Sequence, residues 1–217
     1  LFIPIHSWFH IIKNQIYLVA PTGRASKRLK EVTNHFNACT IHKLLGYQGN
    51  GRFSALDEGP IKAKMIIIDE FSMVDINLAS ILFKCILPDT KIVIVGDVDQ
   101  LPAVGCGDVL RDLIESKEIS TIRLNKIHRQ ASDSTIVSLA HDINEGNLPY
   151  SVIEKQHDRN FIPCEDEKIV EFISTVVKQG LDKNMDLVKD IQVLVPMYKG
   201  MIGIDSINYK LQDEFNK

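Results

Sequence analysis

The sequence predicts an α/β fold in which parallel sheets are covered by helices. Short apolar runs rich in β-branched residues alternate with helical patterns, as in "MIIID" at 65–69. Within these runs apolar and polar residues do not alternate, which is typical of parallel strands that are covered on both faces. Both observations favour repeated β-α units.

The predicted elements follow in chain order and form two groups. In the first group, strands at 16–20, 65–69, 91–97 and 121–124 are interleaved with helical patterns at 23–34, 75–86 and 107–116. After about residue 125 the pattern restarts with a helix at 133–146, a strand at 160–164, a helix around 167–179, a strand at 191–196 and a helix from about 203. We therefore predict two α/β domains, 1–125 and 126–217.

One turn-rich segment, "GYQGNGRFSALDEGP" at 46–60, stands between two α/β elements. Gly49, Asn50 and Gly51 tolerate the positive φ angles that a tight hairpin requires. Two interpretations stay open at this point: a solvated surface loop and an ordered hairpin.

Composition limits the possible classes of protein. The 217 residues are 45% hydrophobic and 24% charged, as in an ordinary soluble globular protein. Apolar runs stay short of the roughly 20 residues that span a bilayer, and residues 1–15 lack the features of a signal peptide. Four scattered cysteines without C-x-x-C spacing indicate reduced thiols. We expect a cytoplasmic protein without membrane contact.

Two carboxylates follow directly on the apolar run at 65–68. Asp69 and Glu70 stand where a parallel strand reaches the carboxyl edge of its sheet, which is the edge where ligands usually bind. Such a pair can hold a divalent cation and orient an attacking water. It can equally cap the helix that follows, because acids stabilise a helix start. Taken alone, the pair does not separate these alternatives.

A glutamine follows the next predicted strand. Gln100 lies in "GDVDQLP", and its amide both donates and accepts hydrogen bonds, so it can sense a phosphate or its attacking water. A polar turn is the alternative. The net charge of −3 excludes a global basic field, so any contact with nucleic acid would come from a local patch. "APTGRASKRL" at 20–29 and "TIHKLL" at 40–45 supply such patches, or merely basic helix faces.

Six stretches occur together in one order. In this combination the chain resembles a superfamily 1 DNA helicase of the RecD/TraA type (exodeoxyribonuclease V alpha-chain-like) from about residue 16 onward. The stretches are "APTGRASKRL", "TIHKLL", "IIIDEFSMVD", "GDVDQLPAVGCGDVL", "IHRQ" and "VLVPMYKGMIGIDSIN".

The resemblance implies two RecA-like domains that bind ATP with Mg²⁺ in their cleft and single-stranded DNA across their tops. It also implies 5′→3′ movement in DNA repair or recombination, with other helicase or nuclease subunits as further partners. By matching motifs, Asp69 would hold Mg²⁺ through water, Glu70 would be the catalytic base, and Gln100 would sense the γ-phosphate. Arg129 would reach the triphosphate, because a guanidinium spreads its charge over phosphate oxygens.

The same resemblance assigns the DNA side of the protein. It places a short strand-splitting hairpin at 46–60, where an aromatic residue, Tyr47 or Phe53, at the tip would stack on a base pair. Strand contacts fall on Thr22, Arg24, Ser26, Thr40, His42 and Lys199.

One essential motif is missing from the sequence. A helicase needs the phosphate-binding loop G-x-x-x-x-G-K-[ST], and in this chain Gly is nowhere followed by Lys. We therefore expect an internal fragment of a longer helicase that by itself hydrolyses no ATP. Two alternatives stay open: a catalytically inactive module that binds DNA or a partner, and an unrelated P-loop enzyme. The latter leaves "TIHKLL" and "QLP" unexplained.

Overall fold

The structure is a computed structural model that describes residues 15–34, 38–124 and 133–216. The chain divides into two compact units, Leu1–Lys126 and Ile127–Lys217. In chain order, the first unit contains β1 (Ile16–Ala20), α1 (Gly23–Thr33), β2 (Ala38–Thr40), α2 (Ile41–Leu44), β3 (Tyr47–Gly49), β4 (Arg52–Phe53), α3 (Ala55–Glu58), β5 (Met65–Ile68), α4 (Ile76–Lys84), β6 (Lys91–Ile94) and α5 (Val109–Glu115).

A parallel sheet of order β2-β1-β5-β6 organises the first unit. Leu18 of β1 pairs with Ile67 of β5, and Ile68 of β5 pairs with Ile94 of β6. The predicted α/β class with a parallel sheet and covering helices is thereby confirmed. The three-residue strand β2 was not predicted, because "ACT" is too short to give a period.

The sheet is covered on both faces at β1 and β5, as their unbroken apolar runs predicted, whereas Ile92 and Val93 of the edge strand β6 are exposed. On one face, Val19 and Ile66 belong to a cluster that includes Leu82 of α4. On the other face, alternate residues of β1 pack with Leu29 of α1. Because successive residues of a strand point to opposite faces, β1 and β5 contribute side chains to both clusters.

The second unit contains α6 (Thr135–Asn144), α7 (Asp166–Asp182) and α8 (Ile204–Phe215). Val177 of α7 and Ile207 of α8 are buried. The hydroxyl of Ser174 in α7 donates a hydrogen bond to the carboxylate of Glu214 in α8. This contact lowers the pKa of Glu214. A polar link therefore joins two helices that bury few apolar side chains.

Three predicted strands are wrong: 121–124, 160–164 and 191–196 have no strand structure. A strand exists only where its backbone finds a ladder partner, and these segments have none within the described residues. Their apolar side chains stay in solvent, as for Ile122, Phe161 and Leu194. Apolar composition alone was insufficient to make strands of them.

Candidate functional site

The two acids after β5 lie at the carboxyl edge of the sheet. The backbone N–H of Asp69 donates to the carbonyl of Val19 at 2.8 Å, so the ladder with β1 extends one residue past the strand. Glu70 then bends the chain, because its φ of 54° lies in the left-handed region that non-glycine residues rarely adopt. Its N–H donates to Asp69 Oδ1 at 3.0 Å. Both residues are half-buried.

Asp69 and Glu70 do not cap the helix that follows them, because another acid has that role. Asp75 begins α4, and its Oδ1 accepts the N–H of Leu78 at 2.8 Å. Asp69 and Glu70 are separated from α4 by a 3₁₀ turn over Phe71–Met73. The capping role of Asp75 was missed, although an Asp directly ahead of a helical pattern is its usual signal.

Gln100 lies in the exposed turn that follows β6. Its side-chain amide donates to Asp97 Oδ2 at 3.3 Å, and the N–H of Asp99 donates to Asp97 Oδ1 at 3.0 Å. The N–H of Phe71 donates to the carbonyl of Val95 at 3.0 Å, so the two loops are joined at their start. Because β5 and β6 are parallel neighbours, Asp69 and Gln100 follow adjacent strands at the same sheet edge.

Arg111 of α5 holds this turn in place and was not predicted. Its guanidinium donates to the carbonyl of Val98 at 2.8 Å and to Asp108 Oδ2 at 2.9 Å. The hydrogen bond that Arg111 donates to Asp108 raises the pKa of Arg111 above its ordinary value. The carbonyl of Val98 lies two residues from Gln100. The sequence pattern of α5 does not predict this contact, because it depends on the tertiary structure.

The chemistry of the edge fits a magnesium ion that keeps most of its waters. Within the described ranges, no group of three His, Cys, Asp or Glu side chains is placed to hold a metal. Mg²⁺ typically binds through one or two carboxylates, waters and substrate phosphates, and does not need an all-protein cage. A single strand-end carboxylate such as Asp69 suits that mode.

Two predicted DNA-contacting threonines lie at the same edge and cap helices. Thr22 Oγ1 accepts the N–H of Ala25 at 3.2 Å, and Thr40 Oγ1 accepts the N–H of Lys43 at 3.1 Å. Ala20 of β1 pairs with Thr40 of β2, so both caps follow neighbouring strands. The structure brings the segments together and gives each hydroxyl an internal partner.

In the basic helix α1 the cationic side chains are exposed and the serine is buried. Arg24 and Lys27 are exposed, and Lys27 makes only a distant surface pair with Glu31 at 4.0 Å. Ser26 is 8% exposed, and its hydroxyl donates to the carbonyl of Gly23 at 3.0 Å. Arg24 is therefore well placed for a strand contact, whereas Ser26 is oriented toward the protein.

The segment 46–60 contains an ordered hairpin. Strands β3 and β4 pair antiparallel, with Gly49 opposite Arg52. Asn50 and Gly51 form the two-residue turn with φ angles of 49° and 74°, which is the pattern of a type I′ turn. The turn chemistry of Asn-Gly thus predicted the correct local structure.

The expected aromatic tip is wrong. The tip is Asn50–Gly51, and the aromatic rings lie at the base of the hairpin. Tyr47 and Phe53 pair across the two strands, and both rings contact His42. Phe53 is buried in the core cluster. The same cluster contains Ile41 of α2 and Leu45, which follows it.

The remaining predicted site residues lie in the second unit. Lys199 is exposed in a loop that folds back on the start of α8, where the N–H of Ile204 donates to the carbonyl of Met197 at 2.9 Å. Arg129 lies outside the described residues. Each unit therefore carries part of the predicted set, and the members described together at one sheet edge all lie in the first unit.

Comparison with known families identifies the group to which this sequence is related. A family model described as an AAA domain matches residues 6–167. The chain belongs to the AAA domain family. This assignment rests on most of the first unit and on the start of the second.

Similar proteins narrow the group further. The chain is 34% identical over 203 residues to the ATP-dependent RecD2 DNA helicase of Deinococcus radiodurans, covering 93% of this chain and 27% of that protein. It is 28% identical over 172 residues to the RecBCD enzyme subunit RecD of Mycobacterium tuberculosis, covering 70% of this chain and 30% of the subunit. The resemblance to RecD-type helicases is confirmed. The chain spans less than a third of the length of either relative.

Among solved structures, the Pif1 helicase from Bacteroides in complex with ADP-AlF3 and single-stranded DNA is similar at 18% identity. The match has a TM-score of 0.41 and covers 82% of this chain and 48% of that one. In the part of the chain that the structure describes, no helix has the length and apolar character needed to cross a membrane.

Proposed function

We propose that this chain is part of the motor of an ATP-dependent DNA helicase. The observation that supports it is the shared sheet edge. There the acids after β5 and the glutamine turn after β6 lie on neighbouring strands, and the basic segments after β1 and β2 continue the same edge. An ATP-hydrolysing motor needs both chemistries within reach of one rigid sheet. Movement would be 5′→3′ on single-stranded DNA, in repair or recombination in the cytoplasm.

On the nucleotide side, each residue has one role. Asp69 holds Mg²⁺ through water, and Glu70 accepts a proton from the attacking water. Gln100 senses the γ-phosphate, and Arg111 fixes the turn from which it acts. Arg129 completes the set as the arginine that reaches the triphosphate. Bound Mg²⁺-ATP would supply the phosphoryl group and the charge that these side chains stabilise.

On the DNA side, the exposed cations Arg24 and Lys199 contact phosphates. Thr22 and Thr40 act by capping the helices that present the basic segments. His42 contributes through its ring beside the hairpin, which would separate strands at the fork. Other helicase or nuclease subunits are the further partners that this assignment entails.

The decisive test changes the proposed base in a longer gene product that also carries a phosphate-binding loop. Glu70→Gln should lower the turnover of ATP by about 10²–10⁴-fold, because a positioned base typically contributes that much. Nucleotide binding, measured by fluorescence titration, should be retained. Glu118→Gln, an exposed acid in the same unit, is the matched control. A loss below tenfold would exclude Glu70 as the main base.

A catalytically inactive DNA- or partner-binding module is the second candidate, because the basic segments after β1 and β2 need no turnover of ATP to bind DNA. Both candidates expect no ATPase activity from this chain alone. Reading the gene upstream of Leu1 separates them. A G-x-x-x-x-G-K-[ST] loop supports the motor, and its absence supports the binding module.

DNA binding by the chain itself should be weak, selective for single strands and strongly dependent on salt. Few basic residues are clustered at the sheet edge, so only a handful of phosphates can be neutralised. Fluorescence anisotropy in low and moderate salt measures this, with Arg24→Ala plus Lys27→Ala as the test variant. Affinity that does not change with salt would contradict the proposed phosphate contacts.

A further inference from the structure

The three aromatic rings at the base of the hairpin contact one another but differ in their exposure to solvent. The ring of His42 meets Tyr47 edge-on, with centroids 5.3 Å apart and planes at 81°. The ring of Tyr47 lies 5.0 Å from that of Phe53. Phe53 is 7% exposed, whereas Tyr47 is 47% exposed. The tyrosine is therefore supported from the protein side and open to solvent on the other.

Backbone contacts fix the position of this tyrosine. The N–H of Ser54 donates to the carbonyl of Gly46 at 3.0 Å, and the N–H of Ala55 donates to that of Leu45 at 3.2 Å. Leu45 is fully buried. The base of the hairpin is thus bonded to a core residue, and Tyr47 is preorganised. A ligand that stacks on it would lose little affinity to the ordering of the side chain.

The charges around the ring are positive on the hairpin side. Between Ile41 and Phe53 the sequence contains Lys43 and Arg52 and no acidic residue. Both cations are exposed, and within the described residues neither forms an ion pair. The nearest acids along the chain, Asp57 and Glu58, lie in α3 after the hairpin. An exposed aromatic ring in a segment that carries two exposed cations matches a nucleotide, which combines a flat base with phosphates.

We propose that Tyr47 is a stacking platform for one unpaired nucleobase, with Lys43 and Arg52 neutralising the adjoining phosphates. This deepens the proposed DNA-binding function and depends on it. The exposed ring lies at the base of the hairpin, so the base it receives belongs to a single strand that passes beside the sheet edge. The hairpin tip, Asn50–Gly51, has no aromatic ring to offer.

The experiment compares two labelled strands of equal length by fluorescence anisotropy, using the chain as it stands. One is oligothymidylate and the other carries a central run of abasic sites. Tyr47→Leu should weaken binding to oligothymidylate by about five- to a hundredfold, the usual effect of removing an aromatic that stacks on a base. It should leave binding to the abasic strand unchanged, and Tyr47→Phe should bind both strands like the wild type.

Tyr150→Leu is the matched control, because this exposed tyrosine is not among the predicted DNA contacts. Equal loss on both strands for Tyr47→Leu would overturn the inference, since the tyrosine would then only support the hairpin. Unchanged binding to oligothymidylate would overturn it as well, while leaving DNA binding intact. If the wild type binds neither strand, the proposed DNA-binding function fails first, and the inference with it.

Discussion

In the first unit, apolar side chains on both faces of β1 and β5 lie against helices, and residues such as Ile66 and Phe71 are fully buried. In the second unit, apolar residues of comparable size, among them Val188 and Leu194, lie in solvent. The second unit is joined by polar contacts, including the one between α7 and α8. The contrast teaches that apolar residues enter a core only where the backbone of their segment has hydrogen-bond partners, because unpaired backbone groups must stay hydrated.

The difference is clearest at helix starts. In the first unit, Thr22, Thr40 and Asp75 cap the helices that they directly precede. In the second unit, α6 is capped by a residue from far along the chain. The carboxylate of Asp158 accepts a hydrogen bond from the N–H of Thr135 at 2.9 Å. It also accepts one from the hydroxyl of Ser134 and one from the hydroxyl of Thr135. Caps of the first kind can be predicted from sequence, because the capping residue directly precedes its helix. The cap from Asp158 cannot, because it lies far from α6 in the sequence.

The largest expected effect tests the contrast in burial. Phe71→Ala should lower the free energy of unfolding by about 3–5 kcal/mol, because it leaves a cavity in a core that cannot collapse fully. Val188→Ala, at a residue 88% exposed in the second unit, should change it by less than about 0.5 kcal/mol. Denaturant titration of both variants measures this. Similar losses would mean that the second unit also has a packed core.

The next effect tests close packing at the sheet edge. A Cβ on Gly96 would lie 2.7 Å from Leu110 Cδ2 and 3.1 Å from the backbone nitrogen of Ser72. Gly96→Ala should therefore cost about 1–3 kcal/mol of unfolding free energy, as overpacking does. Gly23→Ala is the control, since no atom lies within 4 Å of its added Cβ. A tolerated Gly96→Ala would show that the loop after β6 moves easily.

A smaller effect tests the local caps of the first unit. Asp75→Ala should reduce the free energy of unfolding by about 1 kcal/mol, because the N–H of Leu78 loses its acceptor. Asp205→Ala serves as the control, since this acid stands in the first turn of α8, where no side chain caps the helix. Thermal unfolding followed by circular dichroism compares the two. Equal effects would remove the distinction between a capping acid and a merely nearby one.

The smallest effect concerns the distant cap of the second unit. Hydrogen bonds from Thr135 and Ser134 lower the pKa of Asp158 from 3.8 to about 2. Because the folded pKa is depressed, the contribution to stability is present above about pH 4 and is lost as the pH falls toward 2. Asp158→Asn should lower the unfolding midpoint by a few degrees at pH 7.

The pH series supplies the check on this cap. The gap between wild type and Asp158→Asn should shrink as the pH falls from about 4 to about 2, because the wild-type carboxylate is then protonated. Asp166→Asn, an exposed acid in the first turn of α7, should show no such convergence. A gap that is constant with pH would mean that the charge of Asp158 does not stabilise α6.

The sequence by itself determined part of the local structure of this protein. Apolar runs predicted β1, β5 and β6, since a buried parallel strand must be apolar on both faces. The Asn50-Gly51 turn predicted the hairpin, because these residues accept positive φ. The order of the motifs predicted the RecD-type family, and the acids after β5 were found because strand ends converge at one edge.

Only the tertiary structure decided which features acquire partners. The runs at 160–164 and 191–196 read as strands but have no ladder partner within the described residues, and pairing depends on residues far apart in sequence. The contact between Arg111 and Val98 and the distant cap from Asp158 likewise join non-neighbouring residues. Sequence patterns report the preferences of a segment, whereas burial and hydrogen bonding depend on what the fold brings beside it.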